Sequence, residues 1–212
     1  MNYLEIINKC LVELNYKQVN AFSELIKNDH KKLMNIINVI NSELCGFDNW
    51  NFLLRKETLT LEKGQKELPN NINGVIQNVI INKNIYNYYS DFEKAYTGGQ
   101  PSQTYSIFND KILLPVFDED VQVEIIYCTK NCAKNAEGEE KLKLEEATDE
   151  SLIPMPFAEP LLVYGACMRL KGNPQHVRFN YWYGMYKDAL ANFRSKISVT
   201  TDDTPQIRMR RR

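Results

Sequence analysis

The sequence predicts an α+β fold, in which a helical bundle of two N-terminal and two C-terminal helices carries an inserted β-rich domain and an extended C-terminal tail. Apolar residues recur at three- and four-residue spacing near both ends, they alternate with period two in the middle, and the periodicity is lost after residue 197. The predicted parts are the first half of the bundle (1–56), the β-rich insertion (57–150), the second half of the bundle (151–197) and a basic tail (198–212).

The N-terminal part predicts two amphipathic helices. Apolar residues from Tyr3 to Leu14 recur at helical spacing, and a second stripe continues from Phe22 to Leu44, with Gly46 as the expected stop. Each helix is apolar on one side only, so neither is stable until that side is buried against another element.

The middle of the chain predicts strands, namely Thr58–Glu62, Leu68–Pro69, Val75–Ile81, Tyr105–Phe108, Lys111–Leu114 and Val121–Tyr127. The clearest alternation is in Val121–Tyr127, whereas the long apolar run Val75–Ile81 is also compatible with a helix. Asn109-Asp110 is typical of a two-residue hairpin turn. The acidic stretch Glu137 to Glu150 predicts an exposed loop.

Helical spacing returns in the last third. Phe157–Leu170 is apolar nearly all round and contains the small residues Gly165–Cys167, which permit close helix packing. Gly172–Pro174 interrupts the pattern, and a final stripe begins at Val177 and ends near Ile197. The two helical pairs are therefore expected to pack on each other, with the strands as an insertion.

Composition narrows the class of protein. The 212 residues carry a net charge of −1, which excludes a wholly basic nucleic-acid coat. A mean hydropathy of −0.44, with no long apolar run, predicts no membrane span. The five dispersed cysteines are interpreted as core or surface thiols, with Cys10, Cys45 and Cys167 in the core, and they favour a reducing compartment. Glu5 and the lack of an apolar leader predict a chain that stays where it is made or leaves only within an assembly.

No sequence motif for covalent, acid–base, metal or nucleotide chemistry is present. Cys128 and Cys132 have no nearby histidine that would complete a zinc site. His30 is expected on the polar flank of its helix, and His176 at the solvated start of the last helix. We therefore predict no catalytic, metal or cofactor-binding residue, and a protein that is not an enzyme.

The last helix begins with a dense aromatic group. Phe179, Tyr181, Trp182, Tyr183 and Tyr186 carry large rings within three turns, too many to face one core. Of these, Phe179, Trp182, Tyr183 and Tyr186 are the candidate contact residues. Aromatic rings with polar tips suit interfaces, so these residues are predicted to contact a neighbouring subunit, with core packing as the alternative.

The tail has the strongest local charge contrast, with Arg208, Arg210, Arg211 and Arg212 interleaved with Ile207 and Met209. It predicts either a disordered solubilising extension or an arm that orders on a partner. The apolar residues between the arginines favour a protein groove over phosphate contacts alone.

Several segments together resemble a known family. They are WNFLLR at Trp50–Arg55, the alternating strand Val121–Tyr127 after PSQTYSIFNDKILLPVF, and the run from Ile153 to Ala166 within SLIPMPFAEPLLVYGACMRL. In this order they resemble the head-to-tail adaptor (connector) proteins of tailed bacteriophages, including the podovirus adaptor or gatekeeper type. The resemblance spans residues 3–195.

The resemblance implies a structural virion protein that forms a ring, commonly a dodecamer, under the portal protein. The ring would extend the channel for genomic DNA and present its far face to a tail or second ring protein, after assembly in the bacterial host cytoplasm and without a membrane. It implies that the tail docks on the portal, and residues 137–150 are a candidate lining for the channel. The alternative is a nucleic-acid-binding or packaging accessory protein that uses the arginine-rich tail and aromatic helix.

Overall fold

The computed structural model describes residues 1–197. Within them, the chain divides into two compact units. One unit comprises Met1–Phe52 together with the described residues from Asn131 onward, and the other comprises Leu53–Lys130. We call them the helical unit and the sheet unit.

The α-helices are α1 (Tyr3–Glu13), α2 (Asn28–Gly46), α3 (Phe92–Thr97), α4 (Ala158–Lys171) and α5 (Phe179–Lys196), with short 3-10 helices at Phe22–Glu24 and Asn51–Leu53. The strands are β1 (Leu54–Leu61), β2 (Glu67–Pro69), β3 (Gly74–Ile81), β4 (Asn84–Tyr88), β5 (Thr104–Phe108), β6 (Lys111–Leu113), β7 (Val121–Thr129), β8 (Ala133–Lys134), β9 (Glu140–Lys141) and β10 (Glu150–Ser151). None of the helices in residues 1–197 is both long and apolar enough to cross a membrane.

The predicted fold class, a helical bundle with an inserted β-rich domain, is wrong. The described residues form a mixed α/β structure whose largest element is a seven-stranded sheet. Three further short strands form a second sheet inside the helical unit. Periodicity identifies strands one at a time, whereas membership of one sheet depends on pairing between residues far apart in the chain. The predicted tail 198–212 lies outside the described residues.

The seven-stranded sheet has the strand order β1-β7-β3-β4-β5-β6-β2. Neighbouring strands are antiparallel except for the parallel pair β4 and β5. Strand β7 is central to the pairing, because β1 and β3 flank it in registers that include Leu61↔Val121 and Ile81↔Val123. The run Val75–Ile81 is therefore a strand. The hairpin turn is confirmed, since Asn109 and Asp110 both have positive φ and join β5 to β6.

The core of the sheet unit follows from the alternation in its strands. Along β7, the side chains of Val121, Val123 and Ile125 are buried, and the side chains between them are more exposed. The buried cluster also contains Leu61, Leu68, Val79, Ile81, Tyr86, Tyr105, Ile112 and Leu114. One face of the sheet therefore supplies most of the apolar burial in this unit.

Helix α4 lies at the centre of the helical unit and packs against α1, α2 and α5. Its sequence is apolar on nearly every side, as expected for a helix surrounded by others. Gly165 permits the closest packing, because a Cβ there would lie only 3.0 Å from the Tyr186 ring and 3.2 Å from Ile40 Cδ1. The left-handed Gly172 ends the helix.

The predicted second helix begins too early. Phe22 belongs to a 3-10 turn, and α2 starts only at Asn28. The Phe22 ring packs edge-on against Tyr3, with ring centroids 5.4 Å apart, and Val19 forms two backbone hydrogen bonds with the Asn8 side chain. These contacts with α1 hold the segment in a turn despite its helical spacing.

The predicted loop 137–150 contains the strand β9 and the first residue of β10, and asparagines of α2 bond to this stretch and to the nearby Cys132. The Asn38 side chain donates to Leu144 O (2.9 Å) and accepts from Leu144 N (2.8 Å), and Asn41 Nδ2 donates to Cys132 O (2.8 Å). Asp149 has no exposed side-chain surface, and it accepts hydrogen bonds from the backbone N–H groups of residues 145 and 146 and from Lys141. Only some residues of this stretch are therefore exposed, rather than the whole loop.

Candidate interaction surface on the last helix

Helix α5 buries one narrow stripe. Trp182, Ala189 and Phe193 recur at intervals of seven and four residues, so they lie on one face of the helix. Trp182 and Phe193 have no exposed surface. The Phe193 ring also contacts Trp50 and Phe157, at centroid distances of 4.6 and 5.5 Å. This stripe determines which way every other residue of α5 points.

The start of α5 is bound to the end of α1 through Glu13. Trp182 Nε1 donates to Glu13 Oε2 (3.1 Å), and Arg178 Nη1 donates to the Glu13 carbonyl oxygen (2.8 Å) and forms an ion pair with its carboxylate (3.6 Å). The His176 ring stacks on Trp182, with centroids 5.2 Å apart and planes inclined by 18°. These contacts fix the rotation of α5 about its axis.

Exposed aromatic side chains lie on both sides of the buried stripe. On one side, Phe179 and Tyr183 stack with nearly parallel rings, 6.4 Å between centroids, and Tyr183 is 49% exposed. On the other side lie Tyr181, 50% exposed, and Met185. We call these pairs the Phe179 flank and the Tyr181 flank. Large exposed apolar groups at defined positions are typical of protein interfaces.

The two flanks differ in chemistry. Tyr181 packs edge-on against Tyr164 of α4, with centroids 5.8 Å apart. Interaction with the Tyr181 hydroxyl group, together with burial, raises the pKa of Tyr164 to about 12. The Tyr181 flank therefore combines a tyrosine held against α4 with the apolar Met185, whereas the Phe179 flank consists of two aromatic rings that stack on each other within α5.

The structure separates the four predicted interface residues. Phe179 and Tyr183 lie together at the surface, whereas Trp182 is fully enclosed within the helical unit. Trp182 cannot offer its ring to a neighbouring subunit, because α1 and His176 already cover it. Tyr186 is partly buried against Gly165, and burial raises the pKa of its hydroxyl group.

Tyr181 belongs to the aromatic group in the sequence but is not among the four predicted contact residues, and Met185 was not predicted to contact a neighbouring subunit. The buried positions Trp182 and Phe193 define an inward direction, and from it helical spacing places Tyr181 and Met185 on the flank opposite Phe179. The predicted docking residues Ile207, Arg208, Met209, Arg210, Arg211 and Arg212 lie outside the described residues.

The described part of the chain contains no group of three or more histidine, cysteine or acidic side chains placed to hold a metal ion. All five cysteines are free and buried. Burial, together with hydrogen bonding to Cys167, raises the pKa of Cys10 well above its ordinary value, so this thiol stays protonated. His30 is also buried, contrary to its expected place on the polar flank of its helix.

Comparison with known proteins gave no relative from which to transfer a role. No protein-family model matches the chain, and no match was found among curated proteins.

Proposed function

We propose that this chain is a structural subunit of a tailed-bacteriophage particle, a head-to-tail adaptor that forms a ring under the portal protein. The observation that supports the proposal is the pair of exposed aromatic flanks on α5. A subunit in a closed ring touches two neighbours through two different surfaces, so it needs distinct contact groups on two sides. The Phe179 flank and the Tyr181 flank differ in chemistry and lie on opposite sides of the buried stripe.

The helical unit has features suited to such a role. Helix α4 packs against three other helices, and bonds from Glu13 and the α2 asparagines hold α5 and the 131–151 segment in place. A stiff subunit loses little conformational entropy when it binds a neighbour, which favours assembly. In this proposal the ring extends the channel for genomic DNA, and its other face binds a tail or second ring protein.

The proposal is tested by measuring assembly of the full-length chain, alone and mixed with portal protein, by native mass spectrometry and negative-stain microscopy. We expect rings, formed either spontaneously or on the portal. Tyr183→Ala and Tyr181→Ala should each reduce ring formation without lowering the melting temperature. Lys187→Ala is the matched control, because Lys187 is an exposed residue on the outer side of the same helix. A chain that stays monomeric with portal present, or rings unaffected by both tyrosine variants, would contradict the proposal.

The docking role of the tail needs a separate experiment. Deletion of residues 205–212 should weaken capture of the chain by immobilised portal protein while leaving its circular dichroism spectrum unchanged. A variant in which the four arginines are replaced by lysine keeps the charge but removes the bidentate guanidinium geometry. Full capture of the deletion variant would remove the tail from the proposal and leave the ring interface untouched.

A further inference from the structure

Two cysteines that are far apart in the sequence lie side by side at the end of α2. Cys45 belongs to the last turn of this helix, and Cys132 directly precedes β8. Asn41 lies one turn before Cys45 on the same face of α2, and its Nδ2 donates to Cys132 O (2.8 Å). This bond places Cys132 beside the Cys45 side chain, and the two thiols interact with each other. We call Cys45 and Cys132 the α2 thiol pair.

Hydrogen bonds hold the backbone of Cys132 in place. Its N–H donates to Lys141 O (3.1 Å), and its carbonyl oxygen accepts from Leu152 N (3.0 Å) as well as from Asn41. A disulfide forms only between cysteines whose side chains already approach each other, because its geometry tolerates little deviation. The α2 thiol pair meets this condition without a change in the path of the chain.

The α2 thiol pair retains some contact with solvent. Cys45 is 6% exposed and Cys132 is 1% exposed. A second pair, Cys10 and Cys167, lies between α1 and α4 with Cys167 Sγ 3.7 Å from Cys10 O, and neither residue has any exposed surface. Because the oxidation of a thiol depends on its exposure, the second pair is an internal comparison for the first.

We propose that Cys45 and Cys132 form a reversible disulfide when the protein meets hydrogen peroxide, and that this bond cross-links the helical unit. The Cys45 sulfur attacks one peroxide oxygen, so that an S–O bond forms, the O–O bond breaks and water leaves with the thiol proton. The Cys132 sulfur then attacks the Cys45 sulfur. The S–S bond forms, the S–O bond breaks, and the hydroxyl group leaves with the Cys132 proton as a second water. In total, two electrons pass from the two cysteines to the peroxide.

The position of this bond in the chain gives it a structural effect. Both cysteines belong to the helical unit, and the segment between them contains the whole sheet unit (Leu53–Lys130). The disulfide would therefore join the two parts of the helical unit near the points where the chain leaves it and returns. Closing a loop of this length restricts the unfolded chain strongly, which stabilises the folded state. The proposal goes beyond the adaptor function and does not depend on ring formation.

The test is mass spectrometry of the full-length chain after treatment with hydrogen peroxide. The remaining free thiols are alkylated in denaturant, and the chain is digested without reduction. We expect a cross-linked pair of peptides that contains Cys45 and Cys132, is lighter than the two separate peptides by two hydrogen atoms, and is cleaved by dithiothreitol. Cys10, Cys128 and Cys167 should be recovered alkylated. Recovery of Cys45 and Cys132 as alkylated thiols, oxidation of Cys45 to sulfinic acid without a cross-link, or equally fast joining of Cys10 to Cys167 would overturn the proposal.

Variants connect the cross-link to the α2 thiol pair. Cys132→Ala should abolish the cross-linked peptides and leave Cys45 to oxidise to sulfenic or sulfinic acid. Cys128→Ala is the matched control, because Cys128 is also 6% exposed and lies near Cys132 in the sequence, and the cross-link should persist in it.

Thermal melts test the stabilising effect. Peroxide treatment should raise the melting temperature of the helical unit by about 5–15 °C in the unmodified chain, and dithiothreitol should reverse this rise. Cys132→Ala should show no rise. If this variant fails to fold, the comparison of the unmodified chain before and after dithiothreitol decides the question. A cross-linked chain that melts at the same temperature as the reduced chain would refute the stabilising role.

Discussion

Replacing Trp182 by alanine tests the assignment of the α5 aromatic residues most directly. Trp182 has no exposed surface, stacks on His176 and donates a hydrogen bond to Glu13. The adjacent Tyr183 is 49% exposed, so Tyr183→Ala is a matched control one residue away. If the described rotation of α5 is correct, the first variant should lose much stability and the second very little.

The magnitude follows from burial. Removal of a fully buried aromatic side chain lowers the free energy of unfolding by about 3–5 kcal/mol, from lost apolar burial and the cavity that remains. Surface substitutions usually change it by no more than about 0.5 kcal/mol. Glu13 keeps its ion pair with Arg178 in the variant, so its carboxylate adds little further penalty. For a chain of this size, the Trp182→Ala change should lower the melting temperature by about 6–20 °C.

The assay is urea unfolding followed by far-ultraviolet circular dichroism, because intrinsic fluorescence changes when a tryptophan is removed. Should the two units unfold in separate transitions, hydrogen exchange of the α5 amides identifies the one to compare. Equal losses in the two variants, or a loss below about 1 kcal/mol for Trp182→Ala, would refute the description of α5 as a helix with Trp182 inside and Tyr183 outside.

Two further outcomes are expected. Gly74→Ala should destabilise the sheet unit by about 1–3 kcal/mol in thermal melts, because the new Cβ would collide with a carbonyl group of β7. Gly46→Ala is the control and should cause no such loss of stability, because the space around Gly46 is open. Burial raises the pKa of Asp149, but its hydrogen bonds and Lys141 outweigh that effect and hold the pKa below its ordinary 3.8. The stability that Asp149 contributes should therefore be complete above that pH and fall as the pH drops below it. Asp149→Asn should flatten this pH dependence in urea titrations.

Some parts of the fold could be predicted because they depend on neighbouring residues. The alternation of Val121, Val123 and Ile125 marks a strand with one buried face, and the structure has β7 there. Asn109-Asp110 form the expected turn, since both residues tolerate positive φ. The apolar run after Phe157 forms α4 and is surrounded by other helices, as a helix without a polar face must be.

Other parts could not be predicted, because they depend on contacts between distant residues. Phe22 has helical spacing with α2, but its ring packs against Tyr3 and the segment forms a turn instead. His30 has charged neighbours in the sequence and is nevertheless buried. In both cases the energy of a tertiary contact exceeds the weak preference of the local sequence.

The sequence by itself determined the helical and strand periods of most segments and the density of aromatic residues at the start of α5, because these are properties of residues within a few positions of each other. The tertiary structure alone decided that seven strands join one sheet, that Trp182 faces inward and that Tyr181 and Tyr183 remain at the surface. The physical reason is that burial is shared between elements: the orientation of α5 is set by its packing on α4 and by its bonds to Glu13, which lies far from α5 in the chain.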